Sequence, residues 1–171
     1  MVEVILRAVR VDVGTATPLL LLEEVGGSRV LPIFIGAPEA TAIAYALQNV
    51  ETPRPMSHDL LGNVISALGA QLFSVEITDL EDNTFYANLR IVRAGSEIEV
   101  SARPSDAVAL ALRVGAPILV NDELMAAEGK IMVLEDDEEE SDDPSGGRSE
   151  AEQVAELREF LDSIRPEDFN L

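Results

Sequence analysis

Val2, Val4 and Leu6 alternate with polar residues, and Val9, Val11 and Val13 resume the alternation in the opposite phase. A change of phase within an apolar–polar repeat predicts one long strand with a bulge near Ala8, or two short strands. Leu19–Val25 and Arg29–Ile35 are apolar, β-rich runs joined by Gly26-Gly27-Ser28, which predicts a hairpin. Phe73–Leu80 and Thr84–Val92 flank Glu81-Asp82-Asn83 as a second hairpin, and Ala94-Gly95-Ser96 leads into Glu97–Ser101 as a third. Successive hairpins favour a largely antiparallel sheet.

Helical periodicity replaces alternation in three places. Pro38–Leu47 begins with Pro and Glu and aligns Ala40, Ile43, Ala44 and Leu47. Asp59–Leu68 repeats Leu60, Leu61, Val64, Ile65 and Leu68 at helical spacing and stops at Gly69. Asp106–Val114 is apolar nearly all round, which predicts a buried helix ending at Gly115. Pro117–Val120 follows as a short strand and Asp122–Glu128 as a weaker helix. Because strands and helices come in clusters and do not strictly alternate, the expected class is α+β: a largely antiparallel or mixed sheet built from hairpins, with three to four short packed helices.

Charge divides the chain. Its 171 residues carry a formal net charge of -20. Residues 135–171 hold 15 acidic and 3 basic residues, net -12, which leaves net -8 on residues 1–134. The expected organisation is a globular domain over 1–134, an acidic disordered linker over 135–148 and a C-terminal amphipathic helix and tail over 149–171. Val154, Leu157, Leu161 and Ile164 form the stripe of that last helix, which is too short to be stable alone. It is therefore expected to dock on its own body or on a neighbouring subunit, and a homo-oligomer is a further expectation. An acidic surface excludes tight electrostatic binding of nucleic acid, and the absence of Cys excludes disulfides and thiolate metal sites. Glu3, Arg7 and Arg10 interrupt the apolar residues of the N-terminus, and no run reaches the length of a membrane span, so a cytoplasmic location is expected.

Two segments resemble each other. Arg54-Pro55-Met56-Ser57-His58-Asp59 opens one helix and Arg103-Pro104-Ser105-Asp106 opens another, and both helices stop at Gly-Ala. Ser and Asp at a helix start have a structural reading, as caps and dipole partners. Arg54 and Arg103, each ahead of a Pro, have two readings: a structural ion pair with Asp59 or Asp106, or an anion site beside free helix N–H groups. His58, the single His, is the natural proton-transfer candidate, although a His beside a helix start is also a common surface residue. A divalent cation held by Asp59 or Asp106 is a further candidate, though no ligand spacing specifies it.

These blocks carry a likeness. Leu31-Pro32-Ile33-Phe34-Ile35-Gly36 with Glu39-Ala40, then Arg54–Leu60, then Ala102–Ala107, in this order and spacing, resemble the bifunctional nuclease family over about residues 1–134. The resemblance implies an α+β domain and a nuclease acting on both RNA and DNA. Two positions depart from the family pattern: Ser57 stands where Thr is usual, and Ser101 where Asp is usual. Taken together, the residues and the resemblance lead to an expected low-specificity phosphodiesterase with nucleic acid as a weakly bound, non-specific substrate. His58, Asp59, Asp106 and Glu39 are its catalytic candidates. Arg54, Arg103, Ser57 and Ser105 are its substrate-binding candidates. The alternative is a non-catalytic module that binds an anion or a protein.

Overall fold

The computed structural model describes residues 1–12 and 14–131. The acidic linker and C-terminal helix expected over 135–171 lie outside the described residues. Within them the chain forms β1 (Val2–Val11), β2 (Pro18–Glu24), β3 (Arg29–Phe34), α1 (Ala37–Leu47), α2 (Ser57–Ala67), β4 (Ala70–Glu81), β5 (Thr84–Arg93), β6 (Ser96–Ala102), α3 (Pro104–Val114), β7 (Ile118–Val120), α4 (Asp122–Glu128) and β8 (Lys130–Ile131). The eight strands make one sheet in the order β6-β5-β4-β7-β1-β2-β3-β8.

Local chemistry explains most of this. β1 is one strand, and its pairing with β2 shifts register between Leu6 and Ala8, where the alternation changes phase. Two-residue turns join β4 to β5 and β5 to β6. Their central residues all have positive φ: 47° at Asp82, 60° at Asn83, 49° at Ala94 and 80° at Gly95. That geometry matches the twist of the flanking strands, and Asn, Asp and Gly tolerate it best. Every pairing is antiparallel except one. β7 lies parallel to β4, with Val75, Glu76 and Ile77 opposite Ile118, Leu119 and Val120, and antiparallel to β1 on its other side. Three residues thus join two hairpin systems, β1–β3 and β4–β6, into one sheet.

α3 occupies the centre. It packs on α1, α2, β4 and β5, and Ala107, Val108, Ala109, Leu110 and Ala111 are at most 1% exposed. Its alanines let neighbouring elements approach closely. The burial expected for this helix is therefore observed. α2 corrects the expectation for its own stripe. None of its residues is buried. Leu60, Leu61, Val64 and Leu68 are 40–59% exposed, and only Ile65 of the expected stripe packs against the core. The cause is Gly62, whose missing Cβ turns that face of α2 onto α3: a Cβ there would stand 3.2 Å from Val114 Cγ1 and 3.6 Å from Leu110 Cδ1.

The capping expectation is also corrected. Met56, not Ser57, is the N-cap of α2, and Arg103 is that of α3, with Pro104 in the first turn and Ser105 buried at 6% exposure. Each helix starts earlier than Ser-capping predicts, because Pro104 fits the first helical position and Asp59 reaches back to the Met56 N–H. β8, a two-residue pairing with β3, carries too little pattern to be read from sequence.

Candidate active site

α2 and α3 present facing stripes. On α3, Asp106, Leu110, Arg113 and Val114 recur at the spacing of one helical face. On α2 the corresponding residues are His58, Asp59, Gly62 and Ile65. The polar members pair across the gap. His58 Nε2 lies 3.0 Å from Asp106 Oδ1. Arg113 Nε donates to Asp59 Oδ1 at 2.5 Å.

Asp106 holds the centre of a chain of contacts. Its Oδ2 accepts from Arg103 Nε at 2.7 Å, and Arg103 also reaches Glu39 Oε1 on α1 at 2.9 Å. Glu39, Arg103, Asp106 and His58 are thus linked in sequence. Burial pushes the Asp106 carboxyl up. The hydrogen bonds from Arg103 and His58 outweigh that, and the group is held below the usual carboxylate range. A carboxylate that stays ionised can only accept, so Nε2 of His58 is the donor toward Asp106.

Asp59 is committed differently. Its Oδ2 accepts from the Met56 N–H at 2.9 Å. That bond, opposed by burial and helped by Arg113, lowers its pKa. Every nitrogen of the Arg113 guanidinium is engaged, since the two remaining ones donate to the carbonyls of Ala109 and Ala42 at 2.8 and 2.9 Å. It ties α1, α2 and α3 together. Sequence reasoning overlooked Arg113; the available signal was an Arg in the last turn of a helix otherwise apolar nearly all round.

A cleft of about 440 Å³ opens beside these pairs. His58, Asp59, Asn63 and Ser66 of α2 line it, with Gln71 of β4 and Arg113 of α3. Asp106, Arg103 and Glu39 stand behind His58 and do not line it. Ser57 and Arg54 are exposed, and Arg54 makes no ion pair among the described residues. The structure therefore brings together Glu39, His58, Arg103 and Asp106, ties Asp59 to Arg113, and leaves Arg54, Ser57 and Ser105 outside both sets of contacts.

The expected cation finds no ready ligands. Among the described residues no group of three or more His, Asp or Glu side chains is arranged to hold a metal ion. Asp59 and Asp106 each spend both carboxylate oxygens on N–H donors, one of them a guanidinium in each case. Each carboxylate is already balanced by a guanidinium and no further His, Asp or Glu side chains converge with it among the described residues, so these residues as arranged do not fit a divalent cation.

Residues 20–132 match the family model described as the bifunctional nuclease domain. The chain belongs to this family. It is 47% identical to an uncharacterized protein of Mycobacterium tuberculosis strain H37Rv, over 98% of this chain and 97% of the relative. It is 29% identical to bifunctional nuclease 1 of Oryza sativa subsp. japonica over 60% of this chain, and 26% identical to bifunctional nuclease 1 of Arabidopsis thaliana over 69%. The matched region spans 32% and 37% of those two plant proteins, about a third of each. Among the described residues the fold is α+β, four helices with a mixed eight-stranded sheet, and the three resembling blocks fall at β3–α1 and at the starts of α2 and α3. Among the described residues no helix is long and apolar enough to cross a membrane.

Proposed function

We propose that this chain is a low-specificity nuclease that hydrolyses phosphodiester bonds of RNA, DNA or both, with His58 as the proton-transfer group. One observation carries the reading: the 3.0 Å contact between His58 Nε2 and Asp106 Oδ1, with the imidazole at the edge of the cleft. Membership of a family whose plant relatives are named nucleases supports the substrate class.

Asp106 orients the ring, and Nδ1 takes a proton from water as its oxygen attacks phosphorus. The phosphorus–oxygen bond to the leaving nucleoside breaks on the opposite side, that oxygen takes a proton from solvent, and Nδ1 returns its own proton to solvent. Arg113 is the guanidinium that lines the cleft, and Arg103, 65% exposed while anchored to Asp106 and Glu39, is a further phosphate contact for substrate extending beyond it. Arg54, exposed and without an ion pair among the described residues, is a second contact along the substrate, with Ser57 beside it. Asp59 and Glu39 position arginines and do not themselves exchange protons, and no step passes through a cation.

The test is turnover of single-stranded RNA and DNA by highly purified full-length protein beside its His58→Ala and Asp106→Ala variants. Losses of roughly 10²- to 10⁴-fold with unchanged circular dichroism are the expected outcome. Undiminished activity in both variants would reject the site. A second reading has its own observation: each guanidinium touching Asp59 or Asp106 is already paired, and the chain is strongly acidic. Saturable binding of an anion or a protein without turnover, with or without Mg²⁺, would select that non-catalytic module.

A further inference from the structure

We infer that the outer face of α2 is a two-fold interface between copies of this chain. Leu60, Leu61, Val64 and Leu68 are 55%, 40%, 44% and 59% exposed. Successive steps of 100° place all four within one sector of the helix, opposite the sector that lines the cleft and meets α3. Single exposed apolar side chains are ordinary; four on one helical face are an interaction surface.

Charge selects the occupant. The chain bears a formal net charge of -20, so two copies repel over most of their approaches. From Leu60 through Val75 the sequence contains no charged residue. This is the longest uncharged stretch of the sequence, longer than Ala40–Val50, so two acidic copies can meet there without opposing like charges, and its apolar face is complementary to itself, as an isologous contact requires. The sheet edges are poorer candidates. β6 carries Glu97 and Glu99 at its exposed edge, a common defence against edge pairing, and β8 is two residues long. Burial by a partner also answers a local problem. An eleven-residue helix is marginal alone, and α2 buries none of its own residues within one copy.

The test uses the full-length chain and does not depend on any catalytic activity. Sedimentation of the wild type at concentrations on the order of 10 μM should give a dimer. Leu60→Glu with Val64→Glu should weaken association by about thirtyfold or more, the loss expected at the centre of an interface. Both positions are exposed, so the fold should tolerate the change, with circular dichroism as the check. The chain has no Cys. A single Val64→Cys, at the middle of the patch, should therefore form a disulfide-linked dimer under mild oxidation, while Ser96→Cys at the β5–β6 turn should not. This second arm decides the matter if the double Glu variant fails to fold. A monomeric wild type, a dimer indifferent to the Glu substitutions, or crosslinking at position 96 in place of 64 would each overturn the inference.

Discussion

α2 and α3 begin with similar sequences, Arg-Pro followed by Ser and Asp, and both end at Gly-Ala, yet the fold treats them oppositely. α3 is enclosed, and the Ser of its first turn is buried. α2 lies against it with one face and shows the other to solvent. The two aspartates diverge in the same way. Asp59 closes its own helix start through the Met56 N–H and is pinned by Arg113. Asp106 takes no such local bond among those described, and both its oxygens go to side chains, Arg103 and His58. A shared local motif therefore supplies a helix start and a carboxylate. Which of the two meets an imidazole is set by what stands opposite: a His facing Asp106, an Arg facing Asp59.

The comparison is broken most directly by core truncation. Leu110→Ala on α3 should destabilise the protein by about 2–5 kcal/mol through lost burial and a residual cavity. Leu61→Ala on the outer face of α2 should stay within about 0.5 kcal/mol for an isolated copy, as surface substitutions do. Urea denaturation of both variants at low protein concentration measures the contrast. Equal losses would mean that α2 is not peripheral.

The next effect is smaller and concerns the tie between the helices. Arg113→Met keeps the length of the side chain and removes its donors, so Asp59 keeps only the Met56 N–H, on Oδ2, and the carbonyls of Ala42 and Ala109 lose their guanidinium bonds. A loss of about 1–3 kcal/mol is expected, from unsatisfied and partly buried acceptors. Hydrogen exchange should show α2 opening more readily than α3, and equal opening of both would refute the tie.

The smallest effect is in the pH dependence. The folded-state pKa of Asp59 lies below its usual value of 3.8, first through the Met56 N–H. Its contribution to stability is thus fully present above about pH 4–5 and is lost as pH falls through the depressed folded value. The stability difference between wild type and Asp59→Asn should be constant near neutrality and shrink at acid pH. A difference that grew on acidification would contradict the depressed pKa.

Much of the fold was legible for reasons these helices make plain. Alternation, its phase change near Ala8 and the turn residues at Gly26-Gly27-Ser28, Asp82-Asn83 and Ala94-Gly95 are local signals, and the strands follow them. The extent of α3 was legible because a helix apolar nearly all round can only be interior. The orientation of α2 was not. Its five apolar residues recur at helical spacing and show that a helix forms, but a single Gly, which periodicity treats as blank, decides which face meets α3. Of the candidate site, the role of Asp106 and the gathering of Glu39, His58 and Arg103 depend on contacts between distant parts of the chain. Residue types suggested the members and three resembling blocks suggested their association. Arg113 carried no motif and became visible only through its three bonding partners.

The placement of β7 has a kinetic consequence. β1–β3 and β4–β6 consist of neighbours along the chain, whose pairings close short loops and can form as soon as each hairpin is available. β1 and β4 themselves do not pair, and the strand between them ends at Val120, near the end of the domain. During synthesis both hairpin systems therefore wait, each with an unpaired edge, until this three-residue segment and the buried α3 before it have been made. The late step in assembly should be this long-range closure, so substitutions in β7 should slow folding more than their modest effect on hairpin content suggests.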